Sequence, residues 1–88
     1  MNIPAIWKPS YRGGSICYAH YLDCFIEIRK VRFVKHHKRN YTETDYQYEY
    51  SVIPEGFNIP QLVGTNRSLS GAQNDSLKAT KQYRDKNP

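Results

Sequence analysis

The stretch from Thr42 to Ile53 constrains the fold most. Tyr46, Tyr48, Tyr50 and Val52 alternate there with Asp45, Gln47, Glu49 and Ser51. A period of two puts the rings and the valine on one face of an extended strand and the polar groups on the other, the pattern of a half-buried antiparallel strand. A second strand precedes it. Cys24-Phe25-Ile26-Glu27-Ile28-Arg29-Lys30-Val31-Arg32-Phe33-Val34 is rich in β-branched and aromatic residues, but its alternation changes phase. Cys24, Ile26 and Ile28 share one face, whereas Val31 and Phe33 fall on the other. A β-bulge or a tight turn near Arg29-Lys30 would return all five to one side.

The flanking segments complete the outline. Pro4 and Pro9 exclude a regular helix interior at the start, so residues 1–14 are expected to form an irregular arm ending at Gly13-Gly14, with Trp7 and Tyr11 able to fold back on a core. Ser15 to Tyr21 suits a strand and Leu22-Asp23 a turn. Pro54-Glu55-Gly56 ends the tyrosine-rich strand. Gln61-Leu62-Val63 could add a short edge strand, and Gly64-Thr65-Asn66 reads as loop. From Ser68 onward Leu69, Ala72, Leu77, Ala79 and Tyr83 approximate a helical stripe, with Ser68 or Asn74 as the N-cap. Lys78, Lys81, Arg84 and Lys86 gather toward the helix C-terminus, where the dipole favours cations. The expected fold is α+β: a small three-stranded antiparallel β-sheet packed by one C-terminal α-helix, as a single domain over 15–86. Its expected core is Ile26, Ile28, Phe33, Tyr48, Tyr50, Leu69, Leu77 and Tyr83.

Eighty-eight residues make one small domain, too little for a large dehydrogenase, kinase or barrel. No run approaches the ~20 apolar residues of a membrane-spanning helix. The first residues carry no basic segment followed by an apolar stretch, so a secretion signal is not expected. Cys17 and Cys24 are then expected as reduced thiols in a cytoplasmic protein.

Charge gives the main functional lead. Thirteen Lys and Arg stand against eight Asp and Glu, a net charge of +5. Arg29, Lys30, Arg32, Lys35, His36, His37, Lys38 and Arg39 fall within eleven residues, with no acid among them. A cluster of this kind suits contact with phosphates, and a β-hairpin tip could carry it into a groove. Lys78, Lys81 and Arg84 could add contacts from the helix. The plainer reading is a solvated loop beside an acidic strand, with Arg29 or Arg32 pairing with Glu49 or Asp45. Eight tyrosines are many for 88 residues. Tyr46, Tyr48 and Tyr50 could form a stacking platform for bases or a protein interface, or they could be the core itself. Cys17, His20, Cys24 and His36 or His37 are zinc-ligand types, but their spacing is unlike that of zinc knuckles, and no metal or other cofactor is expected. Cys17 or Cys24 with His20 and Asp23 has triad-like types without a motif, so no enzyme activity is expected.

The layout resembles small bacteriophage and prophage proteins with a few strands and a closing helix. Gly64-Thr65-Asn66-Arg67-Ser68-Leu69, followed by Ala72 and Leu77, also resembles the glycine-led exit from strand to helix in the arm-binding domains of phage tyrosine integrases. The likeness spans Gln61 to Tyr83 with the strands upstream. It implies a sheet lying in a DNA groove, with contacts around Arg29 and Arg32. The inter-strand loops are longer here, and the 88 residues hold no integrase catalytic domain.

The expected function is that of a small, non-catalytic, basic binding module contacting nucleic acid, DNA favoured, through the basic strand and loop. The alternative is a phage-type protein that binds and inhibits a host protein machine, a CRISPR effector for example, through a Tyr/Arg-rich surface. A homodimer through the edge strand or the tyrosine face is a third arrangement.

Overall fold

The computed structural model describes residues 5–36 and 41–87. The chain runs β1 (Lys8–Pro9), β2 (Ser15–Tyr21), β3 (Cys24–His36), β4 (Thr42–Pro54), β5 (Leu62–Asn66) and α1 (Leu69–Lys86). The strands form one antiparallel sheet in sequence order, β1-β2-β3-β4-β5. This corrects the three-stranded sheet expected from the sequence; the α+β class and the C-terminal helix stand. The two additional strands are the short edges. β1 recruits Lys8 and Pro9 from the arm, and proline is tolerated there because an edge strand can spare one N–H. β5 takes in Gly64 and Asn66, which read as loop. Gly64 is placed by contact, since it lies opposite Tyr50 and a Cβ there would overlap the Tyr50 ring.

Pairing between β3 and β4 is regular over thirteen residue pairs, from Cys24↔Pro54 to His36↔Thr42. There is neither bulge nor turn at Arg29-Lys30. The phase change is therefore genuine, and Val31 and Phe33 lie on the face opposite Ile26 and Ile28. Phe33 is half-buried on that face, outside the core cluster. The irregularity sits across the ladder on β2, where the register shifts between Ser15 and Cys17 and Ile16 is the extra residue.

Leu22 and Asp23 form a two-residue hairpin turn, with φ of 50° and 61°. Positive φ at both central residues is the type I′ pattern, whose twist matches the flanking strands. Helix α1 lies across one face of β3, β4 and β5. The core is Cys17, Cys24, Ile26, Ile28, Val52 and Ala72, with Trp7, Ile16, Tyr21, Tyr48, Tyr50, Leu62, Leu69 and Leu77 packed around it. Trp7 thus folds the arm back, while Tyr11 points to solvent at 94% exposure.

The helix buries Ala72, Ser76 and Thr80. Four-residue spacing keeps these small side chains on one line, which lets the helix backbone approach the sheet closely. Their hydroxyls bond back within the helix, Ser76 Oγ to the Gln73 carbonyl at 2.7 Å and Thr80 Oγ1 to the Ser76 carbonyl at 2.7 Å. Burial therefore leaves neither unsatisfied. Leu69 and Leu77 flank this line, and Tyr83 is half-buried. Ser68 is the N-cap, its Oγ accepting from Gly71 N–H at 3.0 Å.

Candidate nucleic-acid interface

The unbroken β3–β4 register sorts every side chain of the hairpin onto one of two faces. The helix-side face carries Cys24, Ile26 and Ile28 of β3 and continues through Lys30, Arg32, Val34 and His36. Opposite them on β4 lie Pro54, Val52, Tyr50, Tyr48, Tyr46, Thr44 and Thr42. The open face carries Phe25, Glu27, Arg29, Val31, Phe33 and Lys35, opposite Ile53, Ser51, Glu49, Gln47, Asp45 and Glu43. Every carboxylate of β4 is thus on the open face. Along the two strands, the helix-side face carries cations and no acid.

Neighbouring strands support only the base of this hairpin. Pairing with β2 ends at Ser15↔Arg29, and pairing with β5 ends at Tyr48↔Asn66. The Gly13-Gly14 corner closes the junction. Gly14, at φ 79°, presents its carbonyl to Lys30 N–H at 3.0 Å, and Gly13 O accepts from Arg29 Nη2 at 3.4 Å. Beyond it, residues 31–36 and 42–47 pair only with each other, a two-stranded ribbon about 20 Å long at ~3.3 Å per residue. The longest molecular dimension is 51 Å.

Lys30 Nζ stands over the Tyr46 ring, 4.6 Å from its centroid. Arg32 is exposed opposite Tyr46, with no hydrogen-bond or ion-pair partner among the described residues. His36 is exposed near the far end. Lys35 lies on the open face, 3.1 Å from Asp45. The Asp45 carboxyl titrates below its ordinary value, first because it accepts Tyr46 N–H at 2.8 Å and then because of Lys35. Arg29, also on the open face, lies opposite Glu49. His37, Lys38 and Arg39 lie outside the described residues.

The structure does not bring the helix cations to the ribbon. Lys78 and Lys81 are exposed on α1, and Arg84 Nη2 lies 3.9 Å from Asp23 at the β2–β3 turn. That turn is the opposite end of β3, about 40 Å from Lys35 along the strand. At the ribbon end of the helix, Asn66 Nδ2 donates to Asp75 Oδ2 at 3.0 Å.

The tyrosine row divides. Tyr48 and Tyr50 pack against the core, and Tyr46 is 48% exposed beneath Lys30. Cys17 and Cys24 are free and buried on the helix side. Four residues of offset along paired strands hold them about 13 Å apart, beyond disulfide reach. Burial raises both thiol pKa values. His20 points to the open face, against Tyr18 and Phe25. The histidine and the cysteines therefore face opposite sides of the sheet, and no cluster of three His, Cys, Asp or Glu suited to a metal occurs among the described residues. No helix among them is long and apolar enough to cross a membrane.

The sequence displays the cations but not their separation from the acids. The signal was the phase change itself, which a bulge would have erased. Comparison with protein-family models, curated proteins and solved structures finds no match to this chain.

Proposed function

We propose that the protein is a non-catalytic nucleic-acid-binding module that contacts its polymer through the helix-side face of the β3–β4 ribbon. One observation carries this reading: Lys30, Arg32 and His36 project from a face whose two strands hold no carboxylate, while Glu43, Asp45 and Glu49 are turned away. A polyanion meets attraction on that side and repulsion on the other. The reading assigns Lys30 and Arg32 to the contact together with Lys38 and Arg39 of the connecting segment, and it leaves out Lys78, Lys81 and Arg84. It places the protein in the cytoplasm, where free thiols stay reduced. The rival reading, a protein partner held by the tyrosine row, loses support because two of the three rings pack against the core.

The test is a titration against labelled duplex DNA and single-stranded RNA over a series of salt concentrations. Four phosphate contacts on duplex DNA would give a log–log slope of about −3 to −4. The double variant Lys30→Glu/Arg32→Glu should flatten that slope by about one to two units, one if Arg32 meets a base edge and two if it meets a phosphate, while Lys78→Glu/Lys81→Glu should leave it unchanged. Absence of binding at low salt, or equal loss in both variants, removes the proposal.

A further inference from the structure

We infer that the ribbon enters the major groove of duplex DNA with its helix-side face toward the base edges, and that Arg32 is the side chain that reads guanine. This rests on the nucleic-acid reading above and adds polymer, groove and reader.

Width selects the groove. Two strands about 4.8 Å apart, with their side chains, make a ribbon about 10–12 Å across. The B-DNA major groove, about 12 Å wide, admits a two-stranded ribbon, and the minor groove, about 6 Å wide, does not. Flanking strands would spoil the fit, but β2 and β5 stop at Arg29 and Tyr48. They and the helix form shoulders behind a free length of about 20 Å. That length covers about six base-pair steps at ~3.4 Å each.

Sidedness selects the orientation. The helix-side face offers Lys30, Arg32 and His36 with the hydroxyls of Thr42, Thr44 and Tyr46, all of them exposed. Turning the other face inward would bring Glu43, Asp45 and Glu49 against the phosphates. A single strand is disfavoured because base stacking needs free rings. Tyr48 and Tyr50 pack on the core, and Tyr46 lies under the Lys30 ammonium.

Elimination selects the reader. Arg29 is on the open face, bonded to Gly13 O. Lys35 is there too, paired with Asp45. Lys30 sits over Tyr46 at the ribbon base, and His36 lies near its tip. Arg32, between them, presents an uncommitted guanidinium whose planar fork matches the O6 and N7 acceptors of guanine.

The test uses the full chain and a pool of 20-base-pair duplexes with a randomised centre. The selected duplexes should carry a guanine at a fixed position and bind more tightly than either of their single strands. Replacing that guanine by 7-deazaguanine removes only a major-groove acceptor and should weaken binding. Arg32→Lys keeps the charge, so its salt slope and melting temperature should match the wild type. Its preference for the guanine-containing site over an A·T replacement should fall, with the roughly 5- to 150-fold worth of a whole bidentate pair as the upper bound, because an ammonium keeps the charge but loses the planar fork. Single strands bound as tightly as duplex, a pool with no guanine preference, indifference to 7-deazaguanine, or full discrimination in Arg32→Lys each overturn this inference while leaving nucleic-acid binding intact. Absence of binding to any polymer overturns both.

Discussion

Gly64 gives the sharpest test of the packing. It sits in β5 opposite Tyr50, and the Tyr50 ring occupies the space a Cβ would need. The obstructing atoms are Cζ, Oη and Cε2 at the far end of the half-buried Tyr50 ring, which packs against the core. Gly64→Ala must therefore displace either the ring or the edge strand. Overpacking of this kind costs ~1–3 kcal/mol, against a total stability of roughly 4–13 kcal/mol for a chain of this length. Glycine in a strand is otherwise less favourable than alanine by ~0.5–1 kcal/mol, so without the ring the same substitution should be neutral or stabilising. Tyr50→Thr removes the ring and keeps a strand-forming residue. The cycle of wild type, Gly64→Ala, Tyr50→Thr and the double variant, followed by urea denaturation, should show a coupling of about 1.5–4 kcal/mol with a change of sign. Equal costs for Gly64→Ala in the two backgrounds would refute the contact and the placement of β5 with it.

Three further outcomes are expected. Leu22 holds a left-handed conformation at 43% exposure, so Leu22→Asn should recover about 1 kcal/mol and raise the melting temperature by ~4–8 °C; an unchanged melt would count against the I′ turn. Ile28 is fully buried, and Ile28→Asp should abolish the cooperative melt, because an unpaired buried charge costs several kcal/mol; a soluble variant melting cooperatively would show the β3 register to be wrong. Asp45 titrates below its ordinary value, so the stability it lends is present above the unfolded-state pKa of about 3.9 and is lost as pH falls from there through the lower folded value. Asp45→Asn should flatten melting temperature against pH over about pH 2–5 and leave the slope above pH 5 unchanged, and a curve parallel to the wild type would refute the hydrogen bond from Tyr46.

Much of the sheet was legible because alternation is a strong signal where one face is buried. Ser15 to Tyr21, Thr42 to Ile53 and the Leu22-Asp23 turn lie where side-chain chemistry indicates, and the helix cap falls on Ser68, one of the two candidates. The edges were only partly legible. β1 is two residues long and contains a proline, and β5 begins inside the expected edge strand Gln61-Leu62-Val63 but runs on through Gly64, Thr65 and Asn66, whose residue types indicate a loop. The helix's buried line escapes apolar periodicity for a related reason. Ser76 and Thr80 look polar, yet both hydroxyls are satisfied within the helix, so apolar periodicity selected Ala79 and Tyr83 instead. The basic segment stood out by composition, but composition has no faces. Only the register separates Arg32 from Arg29 and turns Lys35 toward Asp45.

That register also explains why core and candidate interface can share one face of one sheet. On β3 the helix-side residues change from Cys24, Ile26 and Ile28 to Lys30 and Arg32 at the point where the neighbouring strands end. Had a bulge restored the apolar phase, Val31 and Phe33 would have lined the helix side with no helix above them, and the cations would have joined the acids of β4. Keeping the phase change leaves Val31 and Phe33 half-buried on the open face and lifts Lys30 and Arg32 clear of Glu43, Asp45 and Glu49. The core ends at the junction closed by Gly13-Gly14, and the charge begins there. On the proposed reading, stability and binding are carried by successive lengths of the same strands, so substitutions at Arg32 should alter affinity without altering the melt.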